Sequence, residues 1–299
     1  MTISSDPSTP PTEGLPAWWD DFADALRRSG GTVVALTGAG LSAESGLPTF
    51  RGTEGYWTVN SREYTPQQMA TWSTFAAAPD EVWRWYLYRA RQYRVAEPNE
   101  GHRILARWEA LLGDRFHLVT QNVDGLHARA GSSPERTSAI HGDLGWMRCS
   151  RECGVERWRV PAELTDRTAC RDAMLDERER SCLSCPACGH WARPHVLWFD
   201  ECYDDRNYDA TRALTKARDA ALLVVIGTSG ATNLPLTAAR ECLRAGGRVM
   251  EINLCPTPFT RLAKQSSGRQ LTGPATRWLP ELLKPFDQRP PGAAEHTPD

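Results

Sequence analysis

Nothing in this 299-residue chain reads as a membrane span: the longest strongly apolar stretch, Ala220 to Ile226, falls far short of the roughly 20 residues a spanning helix needs. Net charge is nearly absent as well. The 35 Lys+Arg against 37 Asp+Glu leave a formal -2, so no overall field gathers nucleic acid or an anionic membrane surface. The sequence carries no direct pointer to nucleic acid, and none to an oligomeric state. Its opening, MTISSDPSTPPTEG, lacks the basic-then-apolar layout of a secretion signal, which places the protein in the cytoplasm, where thiols stay reduced. Disulfides are thereby excluded as the reason for nine cysteines. Internal repeats and heptads are also missing. What remains is ordinary globular composition, 40% apolar and 24% charged, in a length sufficient for one large or two modest domains.

Residues 1–14 and 287–299 are rich in Pro, Ser, Thr and Gly with almost no large apolar groups, and are read as disordered because they cannot offset the entropy of ordering. Between them, apolar runs of strand length recur at Thr32–Thr37, Phe116–Thr120, Leu222–Gly227 and Arg248–Asn253. Their Val and Ile content without alternation predicts strands buried on both faces, as in a parallel sheet. Helical periodicity separates several of them. Trp18, Trp19, Phe22 and Leu26 share a face of a helix ending near Gly30; Ile104, Leu105, Trp108, Leu111 and Leu112 do so between an Asn99 cap and a Gly113 stop. The fold class is therefore α/β, a doubly wound layer over 15–52, 99–145 and 196–286 with ligands beyond the carboxyl ends of its strands. Two stretches break the alternation. Residues 53–98, with a helix from about Asp80, and 146–195, with six of the nine cysteines, are read as one smaller domain.

Gly38-Ala39-Gly40-Leu41-Ser42-Ala43 follows the first strand and satisfies a G-x-G-x-x-G/A turn, which lets backbone approach a pyrophosphate at a helix N-terminus. A strand-to-helix turn also needs glycine for geometry alone. No acidic residue closes a second strand about 20 positions on, which disfavours a standard dinucleotide dehydrogenase. The turn continues into Pro48-Thr49-Phe50-Arg51-Gly52, an aromatic and a fixed cation beside the expected phosphate site. A second polar block, Thr120-Gln121-Asn122-Val123-Asp124-Gly125-Leu126-His127, leaves an apolar strand, and a third is Ile140-His141-Gly142. An isolated His is usually structural and Asn-x-Asp-Gly is a common turn. Their joint occurrence in this order points to a site.

Together with CPACGHWARPHVLWFDE (185–201), GTS (227–229), EIN (251–253) and GPATRWLPELL (273–283), these blocks make the sequence similar to the sirtuin (Sir2) family of NAD-dependent protein-lysine deacylases over about residues 15–285. The resemblance implies a Rossmann-like NAD-binding domain with a smaller domain that has a helical and a zinc module. It further implies that Gly38, Ala39, Gly40 and Ser42 surround the pyrophosphate, while Gly227, Thr228, Ser229, Asn253 and Ala275 meet the adenosine half. Phe50 and Arg51 would flank the nicotinamide ribose, Gln121 would contact a ribose, and Asn122 and Asp124 would organise the nicotinamide pocket. Val196, Leu197, Trp198 and Phe199 fall in the peptide-binding segment, and His141 would be the general base. The implied reaction has the acyl-lysine oxygen attack C1′ of the nicotinamide ribose; His141 then takes a ribose hydroxyl proton, giving free lysine, nicotinamide and O-acyl-ADP-ribose. The alternative on the same NAD site is ADP-ribosyl transfer to protein or hydrolysis of NAD.

Cys149-x3-Cys153 and Cys185-x2-Cys188 form a two-plus-two set able to hold one structural Zn2+ with four thiolates. Cys182-x2-Cys185 is a competing pair. Pro186 and Gly189 suit a zinc-knuckle turn, and the family's second pair directly precedes RPHVLWF, which favours Cys185 and Cys188. Tyr86 and Arg89, three apart on one helix face, would be a core Tyr beside a solvated Arg on their own. The stretch around them resembles class III sirtuins, whose Tyr-x-x-Arg pair binds the carboxylate of succinyl- or malonyl-lysine, so the acyl range is expected to extend from acetyl to those groups. Three features depart from the family pattern and bear on the peptide clamp: Asp200 in place of Gly, Asp143 after His141-Gly142, and Gly230-Ala231-Thr232-Asn233 after GTS.

Overall fold

The computed structural model describes residues 14–49, 57–59, 62–167 and 174–287. Six strands form one parallel sheet: β1 (Val33–Thr37), β2 (Phe116–Thr120), β3 (Thr137–Ala139), β4 (Leu222–Ile226), β5 (Arg248–Asn253) and β6 (Gln270–Thr272). Their spatial order is β6-β5-β4-β1-β2-β3. The chain winds outward from β1 through β2 to β3, then returns to β4 on the other side of β1 and winds outward again. The β1/β4 boundary is therefore the topological switch point, where a doubly wound sheet opens a crevice beyond its strand ends.

Every residue of β1, β2 and β4 is buried, which explains their lack of alternation. Val33, Ala35, Leu222, Val224 and Ile226 face a core built with the helices Trp19–Ser29, Glu100–Leu112 and Ala275–Asp287. Val34, Leu36, Leu223 and Val225 face the opposite core, closed by Ala210–Arg218, Asn233–Arg244 and Pro258–Gln265. Local chemistry fixes the helix ends. Gly30 stops the first helix at φ 74°, and the Asn99 side chain accepts the His102 N–H to start the helix Glu100–Leu112. The last helix runs through Asp287, which pairs with Arg107 at 2.5 Å; the chain from 288 onward lies outside the described residues.

A smaller antiparallel sheet pairs Gly142–Cys149 with Trp158–Arg159 on one side and Ala192–Val196 on the other. Its apolar side shares a third core with the helix Pro79–Val95: Trp83, Tyr86, Leu87, Met147, Leu183, Ala192 and Trp198 are all buried there. The two stretches that broke the strand–helix alternation thus pack on each other. The sheet is entered at Gly142 and left at Val196, so it begins four residues before 146 and directly continues the loop that carries His141.

Candidate functional site

At the switch point the loops after β1 and β4 press together. A Cβ on Gly40 would lie 2.7 Å from Gly227 Cα, and one on Gly227, at φ +60°, would lie 2.5 Å from the Leu41 nitrogen. The N–H groups of Gly38 and Gly40 donate to the carbonyls of Ile226 (2.9 Å) and Gly227 (2.8 Å). What these glycines contribute is clearance, which lets the two loops form one floor. Above it lies a cavity of about 1010 Å³, reaching from the carboxyl end of the sheet to the small lobe.

Ala39, Gly40, Ser42, Gln121, Asn122, Asp124, His141, Gly227, Thr228, Ser229, Asn253 and Ala275 line this cavity on the sheet side, and Tyr86, Arg89, Val196, Leu197, Trp198 and Phe199 line it on the small-lobe side. Gly38 is not among the lining residues, and Phe50 and Arg51 lie outside the described residues. Residues scattered over 237 positions in sequence are thereby brought to one chamber.

The loop after β2 organises its polar wall. Gln121 Nε2 donates to Thr228 Oγ1 at 2.9 Å, tying the loops after β2 and β4 together. Asn122 Nδ2 donates to the Gly38 carbonyl (3.1 Å) and to Ser42 Oγ (3.0 Å), while Ser42 Oγ donates to Asp124 Oδ2 at 2.7 Å. Burial raises the Asp124 carboxyl above its ordinary range, against the bonds from Ser42 and the Leu126 N–H that lower it. Behind Ser42 stand two buried histidines, His102 and His127, with ring centroids 4.9 Å apart. Desolvation keeps both neutral at pH 7, His102 down to about 4 and His127 well below its usual value.

His141 is held by its neighbours on both sides. Only glycine fits after it: Gly142 has φ +85°, and a Cβ there would meet the His195 carbonyl oxygen at 2.0 Å. Nδ1 lies 3.1 Å from the Gln121 carbonyl, which can only accept, so Nδ1 carries the proton and the lone pair sits on Nε2. Burial pushes its pKa down to about 4, although the Gln121 carbonyl raises it. A neutral imidazole with a defined acceptor nitrogen is the state a general base requires. The Nε2 partner is Tyr203 Oη at 2.8 Å, a contact between residues 62 apart that no local pattern announces.

On the small-lobe side Trp198 Nε1 donates to Tyr86 Oη at 2.8 Å, and burial pushes the Tyr86 phenol upward. Arg89 is 2% exposed; its Nε and Nη2 donate to Tyr93 Oη at 3.1 and 2.6 Å, and its guanidinium lies 5.2 Å from the Trp85 ring. Arg89 is not the solvated cation the pair would be on its own: it is buried among Trp85, Tyr86 and Tyr93 and lines the cavity. Tyr93 is a cavity residue the sequence reading missed, although its position four after Arg89 put it on the same helix face.

The departures from the family pattern acquire structural reasons. Asp200 accepts the N–H groups of Trp72 (2.7 Å) and Ser73 (3.0 Å) at the start of the helix Trp72–Ala77. Burial would raise its carboxyl, but these bonds prevail and hold it below the ordinary range. Asp143 accepts the Gly145 N–H at 2.7 Å, and Thr232 Oγ1 donates to Gln121 Oε1 at 3.3 Å. Asp200 and Thr232 thus tie distant segments together, whereas the Asp143 contact is local.

In the small lobe, Sγ of Cys149, Cys153, Cys185 and Cys188 all lie within 4.8 Å of one another, with Cys149 to Cys188 and Cys153 to Cys185 each at 3.5 Å. Four thiolates about 2.3 Å from a tetrahedral Zn2+ stand roughly 3.8 Å apart, so this donor set fits the ion. The Arg151 N–H supports it by donating to Cys149 Sγ at 3.4 Å. Cys182 lies outside the cluster and packs against the apolar core. Cys170 lies outside the described residues. Cys242 is buried as expected of a small hydrophobe, whereas Cys202 and Cys255 are exposed.

Comparison with known proteins agrees with this geometry. The model of the Sir2 family matches residues 38–233. An NAD-dependent protein deacylase of Aquifex aeolicus is 39% identical over 236 residues, covering 77% of this chain and 87% of its own. One from Thermus thermophilus is 40% identical over 238 residues, covering 78% and 84%. Among solved structures, a Sir2 homolog–NAD complex superposes with a TM-score of 0.66 at 33% identity, covering 85% of this chain and 89% of that one. A Sir2–p53 peptide–NAD+ complex does so at 0.67 and 25% identity, covering 88% and 95%.

Proposed function

This chain belongs to the Sir2 family, and from that premise we propose that it is an NAD-dependent protein-lysine deacylase, releasing nicotinamide and O-acyl-ADP-ribose. The observation that carries the reading is His141: a neutral imidazole with its acceptor nitrogen defined, on the wall of the chamber that Gln121, Thr228 and Asn253 also line. NAD would occupy the sheet side, its pyrophosphate near Gly38, Ala39, Gly40 and Ser42, its adenosine near Gly227, Thr228, Ser229, Asn253 and Ala275. Its nicotinamide ribose would meet Gln121, Phe50 and Arg51, with Asn122 and Asp124 around the nicotinamide. The acyl-lysine peptide would lie over Val196–Phe199, in keeping with a relative solved with both peptide and NAD+.

In this reading His141 takes a proton from a ribose hydroxyl at Nε2, and the Gln121 carbonyl steadies the imidazolium through Nδ1–H. Tyr86 and Arg89 select the acyl group: a phenol and a buried guanidinium beside the chamber suit a carboxylate-bearing acyl chain, so the enzyme removes succinyl and malonyl as well as acetyl groups. The zinc held by Cys149, Cys153, Cys185 and Cys188 stabilises the small lobe and takes no part in the chemistry, since four thiolates leave no open position. Four reduced thiolates also favour a cytoplasmic home.

His141→Ala tests the reading. General-base catalysis contributes about 10²-fold or more, so the variant should lose at least about 99% of its deacylation rate while binding NAD nearly as the wild type does. Retention of a tenth of the rate would place the base elsewhere. Incubation with NAD alone addresses transfer or hydrolysis of ADP-ribose, the alternative on the same NAD site.

A further inference from the structure

A general base works through a lone pair, and in this chain the lone pair of His141 is taken. Nδ1–H is spent on the Gln121 carbonyl, so the only acceptor on the ring is Nε2, and the phenol O–H of Tyr203 donates to it at 2.8 Å. The contact is built in. Tyr203 stands between Glu201, fixed by Arg193 and by the Trp198 N–H (3.0 Å), and Asp204, whose carboxylate accepts the Asn207 N–H at 2.6 Å to cap Asp205–Tyr208. Its ring lies 29° from the plane of the imidazole with centroids 5.8 Å apart. Tyr203 lines the chamber, as does Thr232, whose hydroxyl donates to Gln121 Oε1 at 3.3 Å and so keeps its oxygen able to accept.

We propose that Tyr203 is a latch on the base: its phenol holds the Nε2 lone pair in the ligand-free chain, and a ribose hydroxyl of NAD must displace it before His141 can take a proton. The proposal rests on the reading of His141 as the base. Thr232 gives the displaced phenol a partner, so the exchange strands no polar group. In this way the chain makes a reactive imidazole available only to a ligand that brings its own hydroxyl to the same point, and Tyr203 acts as a positioning residue whose effect passes through His141.

Tyr203→Phe keeps the ring and removes only the hydroxyl. The wild type exchanges one hydrogen bond for another on binding NAD, whereas the variant gains one where its base had none, a difference worth about threefold to tenfold in affinity. The expected result is a rise in kcat/KM for NAD of about threefold or more, carried by a lower KM, with a matching gain in NAD affinity by calorimetry. An unchanged or reduced kcat/KM in a variant with the wild-type thermal melt would overturn the latch. Should the variant not fold, a crystal structure of the wild type with NAD decides: the phenol oxygen leaves Nε2 if the proposal holds, and remains within hydrogen-bond distance if it does not. His141→Ala, assayed alongside, separates the two layers. Full activity without His141 removes the base and the latch together; loss of activity there with an unaltered Tyr203→Phe removes the latch alone.

Discussion

If Tyr86 and Arg89 recognise acidic acyl groups as proposed, replacing Arg89 by Met should confine the enzyme to uncharged acyl groups. Arg89 is 2% exposed, its fork is held by two bonds to Tyr93 Oη at 3.1 and 2.6 Å, and Tyr86 stands one turn away with its phenol oriented by Trp198. A succinyl carboxylate entering this cage exchanges water for a desolvated guanidinium, and removing one partner of such a buried pair costs about 2–5 kcal/mol. That range corresponds to a loss of roughly 30-fold to several thousandfold in kcat/KM for succinyl-lysine peptide. An acetyl group presents no carboxylate, so its kcat/KM should stay within a few-fold. The assay is the ratio of the two kcat/KM values on one peptide sequence, because the ratio cancels any general loss of folding or NAD binding. Arg89→Lys should fall between, since an ammonium keeps the charge and loses the fork. Proportional losses on both substrates would refute the reasoning and make Arg89 a support of the fold; absence of desuccinylation in the wild type would remove the acidic-acyl assignment altogether.

The zinc set predicts one metal ion per chain by elemental analysis, lost in Cys188→Ser and retained in Cys182→Ser; the reverse pattern would overturn the pairing, and loss of a true ligand should unfold the small lobe. Acid should destabilise the fold through its buried histidines. Burial, then the charges of Arg212 and Lys216, lower the His117 pKa to about 3, and its Nε2 lies 2.9 Å from Ser138 Oγ. An unfolded imidazole titrates near 6.5, so the stability His117 contributes is complete above that pH and drains as pH falls from 6.5 toward 3, by about 2 kcal/mol between pH 7 and 5. Urea titrations of wild type and His117→Asn should therefore converge by about that amount over this interval; a constant difference would show that His117 takes up its proton as readily in the folded chain as in the unfolded one.

The sheet was legible because burial on both faces leaves a chemical trace: β1, β2, β4 and β5 are short, mostly apolar segments rich in Val, Ile and Leu without polar alternation, the pattern a covered parallel strand leaves. β3 and β6, three residues each, leave no such trace, since an edge strand of Thr-Ser-Ala or Gln-Leu-Thr is set by pairing to its neighbour. The four-cysteine set was readable because zinc imposes spacing within each pair. The fold had to choose between Cys182 and Cys188, which it does by turning Cys182 against the apolar core. The polar wall was visible as blocks at strand ends, and the geometric role of the first-turn glycines was visible with it: Gly40 is required for clearance against the Gly227 loop, and the Gly38 and Gly40 N–H groups meet the carbonyls of Ile226 and Gly227, pairings only the tertiary fold reveals. The burial of Arg89 was not readable from the helix face alone, which does not reveal what packs on it; only the similarity of the surrounding stretch pointed to an acyl-binding pair. Tyr203 and Asp200 were opaque for a related reason, since each acts on a residue 62 or more positions away that only the tertiary fold brings near.

The most direct measurement is mass spectrometry of the products formed from NAD with acetyl-, succinyl- and malonyl-lysine peptides, beside NAD alone. Free lysine peptide, nicotinamide and O-acyl-ADP-ribose should appear in equal amounts, with the mass of the ADP-ribose product tracking the acyl group supplied and almost no turnover without peptide. Free ADP-ribose accumulating from NAD alone, with every acyl peptide intact, would contradict it.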